Sequence, residues 1–204
     1  NQTLHARQFF EGMNMKLKHL LTLSLAALSL PALAHVGGAH DHGGLLTGFL
    51  HPITGLDHLA AMLAVGVWSA MTTKRLWVAP LSFAALLLAG ALMAQAGAAF
   101  PAVEPMIAAS MLVVGLLLAA QVKLPEALGA VLVGAFALFH GAAHGQELAG
   151  GAALAGMVLG TAVLHALGIA LGLGLKRAHH WLPRAAGGAV ALMGLNMGWS
   201  LLAG

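Results

Sequence analysis

Six long apolar segments follow one another along the chain after residue 44, and each contains few charged positions. They predict helices at about residues 45–71, 76–97, 105–121, 126–147, 152–175 and 185–203. A helix needs about 20 residues to cross the roughly 30 Å hydrocarbon core of a bilayer. Because the connections are short, we expect an all-α, polytopic integral membrane helix bundle, in which residues 45–204 form one domain of six transmembrane helices.

The composition agrees with a membrane protein. Hydrophobic residues make up 60% of the chain and charged residues only 7%, whereas roughly a quarter of the residues in a soluble domain are charged. So little charge cannot cover a globular surface in water. The chain has no cysteine, which excludes disulfides and thiolate metal ligands. Its 12 histidines are the unusual feature, and they direct attention to imidazole chemistry.

The N-terminal part predicts a cleavable secretory signal peptide at residues 15–34. This segment combines a basic start (MKLK), an apolar core and a small-residue end, Ala32-Leu33-Ala34, as signal peptides do. We expect cleavage after Ala34; the alternative is a retained first helix. Residues 1–14 show no periodic pattern, and we interpret them as an upstream extension without an assigned fold.

Basic residues in the loops predict the orientation of the bundle. If the mature N-terminus lies outside, every lysine and arginine after residue 44 falls in or beside a cytoplasmic loop, as the positive-inside rule requires. These residues are Lys74, Arg75, Lys123, Lys176, Arg177 and Arg184. We therefore expect the bacterial inner membrane as the location, with both termini of the mature chain on the periplasmic side.

The first apolar segment carries the polar motif HPITGLDHLAAM at residues 51–62. An aspartate at the centre of a membrane helix costs about 2.5–3.5 kcal/mol, so we expect Asp57 to be paired, hydrated or bound to a cation. His51 and His58 are seven positions apart and would share a helix face to within about 20°. Pro52 lacks an N–H, so we expect a kink near it that presents imidazole and oxygen ligands to a polar pocket.

The fourth segment ends in a second polar motif, FHGAAHGQEL, at residues 139–148. His140, His144 and Glu147 are spaced by four and three residues, which predicts one helix face near the outer end. Together the two motifs offer four imidazoles and two carboxylates, a set suited to nickel, cobalt or zinc and poorly matched to copper(I). Gly141 stands where the zinc-protease pattern H-E-x-x-H has glutamate, which argues against a metalloprotease.

The remaining histidines receive different interpretations. Residues 35–44, HVGGAHDHGG, form a His/Gly-rich outer tail, and such tracts suggest metal capture, with a merely solvated tail as the alternative. The accessory candidates are His35, His40, Asp41 and His42. We interpret His165 in the fifth segment as a hydrogen-bonded packing residue, and His179 and His180 as solvated residues of a basic loop.

Glycines in the fifth segment predict a packing surface. Gly156, Gly160, Gly168 and Gly172 are separated by multiples of four, so they lie along one face of the helix. Small residues on a membrane helix let a neighbouring backbone approach closely.

The two motifs resemble the HupE/UreJ family of nickel and cobalt permeases. The resemblance rests on HPITGLDHLAAMLAVGVWSA in the first segment, FHGAAHGQEL in the fourth and a signal followed by a histidine-containing start, and it covers about residues 15–204. It implies secondary uptake of nickel, sometimes cobalt, into bacteria, with transient metal binding and no prosthetic group. The residues that match the family motifs are His51, Asp57, His58, His140, His144 and Glu147.

The sequence thus favours a metal permease, not an enzyme. It contains no Walker-type phosphate loop, so we expect neither primary active transport nor an ATPase subunit, and the scattered basic residues do not suggest nucleic-acid binding. An intramembrane metal-dependent enzyme, a proton or ion channel and a metal sensor are the alternatives. The choice among nickel, cobalt and zinc, the energy coupling and the formation of a homo-oligomer stay open.

Overall fold

The computed structural model describes residues 44–179 and 181–203, and these residues form seven α-helices without a strand. The predicted upstream extension, the signal peptide and the ligand candidates at positions 35, 40, 41 and 42 lie outside the described residues. The helices are α1 (Leu45–Thr54), α2 (Leu56–Thr72), α3 (Val78–Gln95), α4 (Val103–Ala120), α5 (Glu126–Glu147), α6 (Gly151–Ala178) and α7 (Leu182–Ala203).

The predicted all-α membrane bundle is confirmed. Helices α3 to α7 are long and apolar enough to cross a membrane. Helices α1 and α2 pass the same test only together and are bent by 84°, which makes them a broken sixth span or a re-entrant segment. Two spans begin earlier than the sequence predicts, α4 at Val103 and α7 at Leu182. Pro105 and Pro183 therefore lie in the first turns of their helices, where a backbone N–H has no helical partner and proline is tolerated.

The first span breaks at Gly55, three residues beyond the proline that predicts the kink. Helix α1 continues through Pro52, and Gly55 then adopts extended backbone, with φ −87° and ψ 114°. Because Pro52 has no N–H, the Gly48 carbonyl lacks its helical donor, and this end of α1 is weakened. The Thr54 hydroxyl donates to the His51 carbonyl over 2.8 Å, which satisfies one carbonyl of the last turn.

This break makes one prediction wrong. His51 belongs to α1 and His58 to α2, with the extended Gly55 between them, so they do not share a face of one helix. The 84° bend instead turns α1 across the end of α2. Both imidazoles then reach the same place from different directions, which a continuous helix could not achieve.

The glycine face of α6 packs against the broken span, as predicted. A Cβ atom added at Gly156, Gly160, Gly168 or Gly172 would come within 3.0 Å of an atom in α1 or α2. Real Cβ atoms do not approach that closely, so these backbones touch only because glycine lacks a side chain. One straight helix thereby supports both halves of the bent span.

Helices α3 and α5 pack in the same close manner. A Cβ added at Gly141 or Gly145 of α5 would come within 3.0 Å of the backbone of α3, and one at Gly90 of α3 would meet the backbone of α5. Gly141 and Gly145 follow His140 and His144 directly in the sequence. The glycines therefore hold α3 against α5 beside the two histidines, both of which are buried.

The two ends of the bundle differ in charge. Every lysine and arginine of the described chain lies in or beside the connections α2–α3, α4–α5 and α6–α7, and we call this the basic end. There the Trp68 indole N–H donates to the Val122 carbonyl over 3.0 Å, and Arg75 pairs with Glu126. The opposite end, where α1 begins and α5 finishes, carries the two histidine motifs, and we call it the histidine end.

Candidate metal-binding site

Four histidine rings converge at the histidine end. The ring centroids of His58 and His144 lie 4.2 Å apart, and those of His58 and His140 lie 4.9 Å apart. The His51 ring lies 4.7 Å from that of His144. Residues from α1, α2 and α5 therefore form one cluster, although the motifs are about eighty residues apart in the sequence.

Two carboxylates belong to the same cluster. The Glu147 Oε2 atom lies 2.8 Å from His51 Nε2 and 3.8 Å from His144 Nδ1. Asp57 Oδ1 lies 3.0 Å from His58 Nδ1. All six side chains that match the two motifs are thus gathered in one place, while the accessory candidates of the tail lie outside the described residues.

Three of these groups are close enough to hold one ion. One ligand atom each from His51, His144 and Glu147 lie within 4.8 Å of one another, the single such group of three or more found within residues 44–179 and 181–203. Nitrogen and oxygen ligands lie about 2.0–2.2 Å from a metal such as zinc. Small rotations of these side chains would therefore bring the three atoms around one ion.

The protonation of His58 follows from its neighbour Asp57. A carboxylate can only accept hydrogen bonds, so the 3.0 Å contact with Asp57 Oδ1 favours a proton on His58 Nδ1. The lone pair of the neutral ring is then on Nε2, which is buried without a hydrogen-bond partner among the described residues. Carboxylate, histidine and open nitrogen form the arrangement in which a second-shell acid orients a metal ligand.

His140 is oriented in a similar way by a residue that the sequence analysis missed. The Ser110 hydroxyl of α4 donates to the Ile107 carbonyl over 2.7 Å and lies 2.8 Å from His140 Nε2. With the hydroxyl proton donated to the carbonyl, the Ser110 oxygen is an acceptor, which favours the tautomer in which His140 Nε2–H donates to it. Its lone pair is then on Nδ1, which has no hydrogen-bond partner in the described chain. Ser110 is one of only two polar residues in α4, and this signal could have identified it.

The cluster is accessible on one side and buried on the other. The side chains of His51 and Glu147 are 26% and 33% exposed, whereas His140 and His144 are 0% and 2% exposed. Neither nitrogen of His144 has a hydrogen-bond partner in the part of the chain described. An unpartnered buried polar group costs about 1–3 kcal/mol. Open imidazole nitrogens concentrated in one pocket are what a cation-binding site requires.

His165 lies outside this cluster and differs from the predicted packing residue. It is 1% exposed, but neither ring nitrogen has a hydrogen-bond partner within the described ranges. Its ring contacts Phe83, with the centroids 5.1 Å apart, and the Phe83 ring contacts His140 at 5.5 Å. His179, by contrast, lies at the C-terminal end of α6 beside Trp181.

Comparison with known proteins identifies the family. The family model described as "HupE / UreJ protein" matches residues 23–197, a range that contains both motifs and all six clustered residues. The chain belongs to the HupE/UreJ family. Protein HupE of Rhizobium leguminosarum bv. viciae is 43% identical over 180 residues, covering 85% of this chain and 94% of that protein.

Membership assigns the chain to a class of membrane transporters. The HupE/UreJ family is a family of nickel and cobalt transporters, so the resemblance seen in the two motifs is confirmed. No solved structure matches the chain.

Proposed function

We propose that this protein is a secondary transporter that takes up a divalent transition-metal cation across the bacterial inner membrane, Ni²⁺ first and Co²⁺ next. The ion binds transiently to ligands from the two motifs, and no prosthetic group takes part. One observation carries the proposal: imidazole rings whose buried nitrogens have no hydrogen-bond partner among the described residues contact one another in a cluster that also holds two carboxylates. The proposed metal-site residues, whether they bind the ion directly or orient a ligand, are His51, Asp57, His58, His140, His144 and Glu147.

The donor types suit the proposed ion. Imidazole nitrogen and carboxylate oxygen match nickel and cobalt, whereas copper(I) prefers sulfur. Two carboxylates, Asp57 and Glu147, balance the charge of a divalent cation in a low-dielectric surrounding, where an uncompensated charge is expensive. Partial exposure of His51 and Glu147 gives the ion a point of entry.

The direction of transport follows from the charge asymmetry of the bundle. The positive-inside rule favours a cytoplasmic basic end, so the histidine end and both termini of the mature chain would face the periplasm. The outer tail would concentrate the ion at this entrance through His35, His40, Asp41 and His42. Membrane potential is worth about 2.3 kcal/mol per charge per 100 mV, which favours inward movement of a divalent cation without an ATPase.

Uptake of radioactive ⁶³Ni²⁺ into liposomes containing only the purified protein tests the proposal. We expect uptake by the wild-type protein and a fall of about tenfold or more in His58→Ala and Asp57→Ala, since each loses a ligand or the group that orients it. His179→Ala, which removes a loop histidine, is the matched control and should transport normally. Normal uptake by both cluster variants would defeat the proposal.

The same liposomes distinguish the alternatives. A proton or ion channel would carry a metal-independent proton current, measured with a pH-sensitive dye in metal-free buffer. An intramembrane enzyme or a sensor would bind nickel without moving it across the bilayer. The transporter requires nickel accumulation that depends on the cluster, with little proton flux in the absence of metal.

A further inference from the structure

His165 is the strongest unexplained group in the interior. Its side chain is 1% exposed, and both of its ring nitrogens are without hydrogen-bond partners among the described residues. Thr161 lies one turn earlier on α6, so the two side chains project from neighbouring positions of one face. The Thr161 hydroxyl is also buried and also without a partner in the described chain. Buried polar groups in native proteins nearly always have a hydrogen-bond partner, so two such groups together call for an explanation such as a bound water or ion.

His165 lies beyond the histidine cluster in the direction of the basic end. Its carbonyl oxygen would be 2.6 Å from a Cβ atom added at Gly66 of α2, so the two positions are level in the bundle. Gly66 is eight residues after His58, which is about 12 Å along the axis of α2. The His165 backbone is therefore level with a point about two helical turns along α2 from His58, away from the partly exposed His51 and Glu147.

Phe83 connects the cluster to His165. Its ring is 1% exposed, and its centroid lies 5.5 Å from that of His140 and 5.1 Å from that of His165. An ion leaving His140 in the inward direction would therefore reach His165 after passing one aromatic ring. Rotation of a single side chain is the smallest movement that could open such a path.

The rest of the described interior offers few ligands for a divalent cation. The buried hydrophobic core includes Val65 and Val67 of α2, together with Leu87 of α3 and Val133 of α5. A divalent cation in such surroundings would lack compensating ligands, which is strongly unfavourable. An imidazole nitrogen and a hydroxyl oxygen at this depth are donor types that nickel and cobalt accept.

We propose that His165, assisted by Thr161, forms an inner binding station for the divalent cation, reached from the histidine cluster past Phe83. This inference rests on the proposed transport function and extends it. The ion exchanges one or more cluster ligands for His165 and keeps water as its remaining ligands. With two binding sites in series, the ion can leave the cluster without losing all of its ligands inside the bilayer.

Substitution of His165 by leucine separates this role from packing. Leucine fills similar space and removes a buried polar group that has no hydrogen-bond partner within the described ranges, so a residue used only for packing would be replaced without harm. We expect His165→Leu to unfold at the wild-type temperature or above it, and to bind Ni²⁺ at the cluster with unchanged stoichiometry and affinity. Its ⁶³Ni²⁺ uptake into liposomes should nevertheless fall about tenfold or more.

Thr161→Val is the second variant, because it keeps the shape of the side chain and removes only the hydroxyl. We expect a smaller loss of uptake, again without a change of nickel binding at the cluster. Normal uptake by His165→Leu overturns the inner station. If His165→Leu fails to fold, normal uptake by Thr161→Val overturns it instead.

The experiment also distinguishes this inference from the proposed function. If the wild-type protein neither binds nor moves Ni²⁺, the proposed function fails and the inner station fails with it. If the wild-type protein moves Ni²⁺, His58→Ala does not, and His165→Leu does, only the inner station is wrong. If His165→Leu still binds Ni²⁺ at the cluster but no longer takes it up into liposomes, both the proposed function and the inner station are supported.

Discussion

His51 Nε2 and Glu147 Oε2 lie 2.8 Å apart, although 96 positions separate the two residues in the chain. The contact joins α1 to the last residue of α5 at the partly exposed edge of the cluster. His144 lies directly beneath, with its ring 4.7 Å from that of His51. An ion that enters from the histidine end therefore meets this pair first and the buried imidazoles afterwards.

The charge of Glu147 should control the affinity for the ion. Glu147→Gln keeps the size of the side chain and a hydrogen-bond acceptor for His51 but removes one negative charge, so we expect nickel binding to weaken about tenfold or more. Isothermal titration calorimetry of the purified protein measures this. The control is Glu126→Gln, which removes an acid at the basic end beside Arg75 and should leave the affinity unchanged. Equal affinities of wild type and Glu147→Gln would contradict a ligand or charge-balancing role.

Ser110 should orient His140 without touching the ion. Ser110→Ala removes the acceptor of the His140 Nε2–H, so the ring loses its preferred protonation and orientation. Loss of such an outer partner typically costs about 10–100-fold in metal affinity, and we expect a fall in that range. The buried His140 Nε2–H also loses its acceptor, so we expect destabilisation by about 1–3 kcal/mol. Ser82→Ala is the matched control, because Ser82 donates to the Ala130 carbonyl over 2.8 Å, away from the histidines. A wild-type affinity in Ser110→Ala would show that His140 needs no such anchor.

Two adjacent glycines in α7 should respond differently to the same substitution. A Cβ added at Gly187 would come within 3.0 Å of the α4 backbone, whereas one added at Gly188 has nothing within 4 Å. We expect Gly187→Ala to destabilise the protein by about 1–3 kcal/mol through overpacking. Gly188→Ala should be neutral or slightly stabilising, because alanine is the better helix former. Thermal unfolding in detergent compares the two, and equal stability would contradict the close packing of α4 against α7.

The sequence locates the two polar motifs, but it does not predict how their side chains meet. Hydropathy and loop charge are local properties, so they locate the spans and the two motifs. The spacing of His140, His144 and Glu147 predicts one helix face, and this argument holds because α5 is a continuous helix through these positions. The same argument fails for His51 and His58, since it assumes a continuous helix and the chain breaks at Gly55. An extended glycine followed by a new helix is stabilised by tertiary contacts, above all those with α6.

Other parts of the site depend on packing between distant segments. Ser110 belongs to the site because α4 places it beside His140. The residues around Ser110 in the sequence do not indicate that His140 is its partner. His165 appears on an apolar helix as an ordinary packing residue until the structure shows that its nitrogens lack partners in the described chain. Glycine spacing did predict the packed face of α6 correctly, because the period of a helix is sufficient to define a face.

X-ray absorption spectroscopy of the Ni²⁺-loaded protein tests the central claim most directly, because it reports the ligands of the ion itself. We expect a first shell of nitrogen and oxygen only, together with the outer scattering that several imidazoles produce. In a protein carrying both His58→Ala and His144→Ala, bound nickel and imidazole scattering should be lost together. A spectrum of hydrated nickel, a shell containing methionine sulfur, or a wild-type spectrum from the double variant would contradict the account.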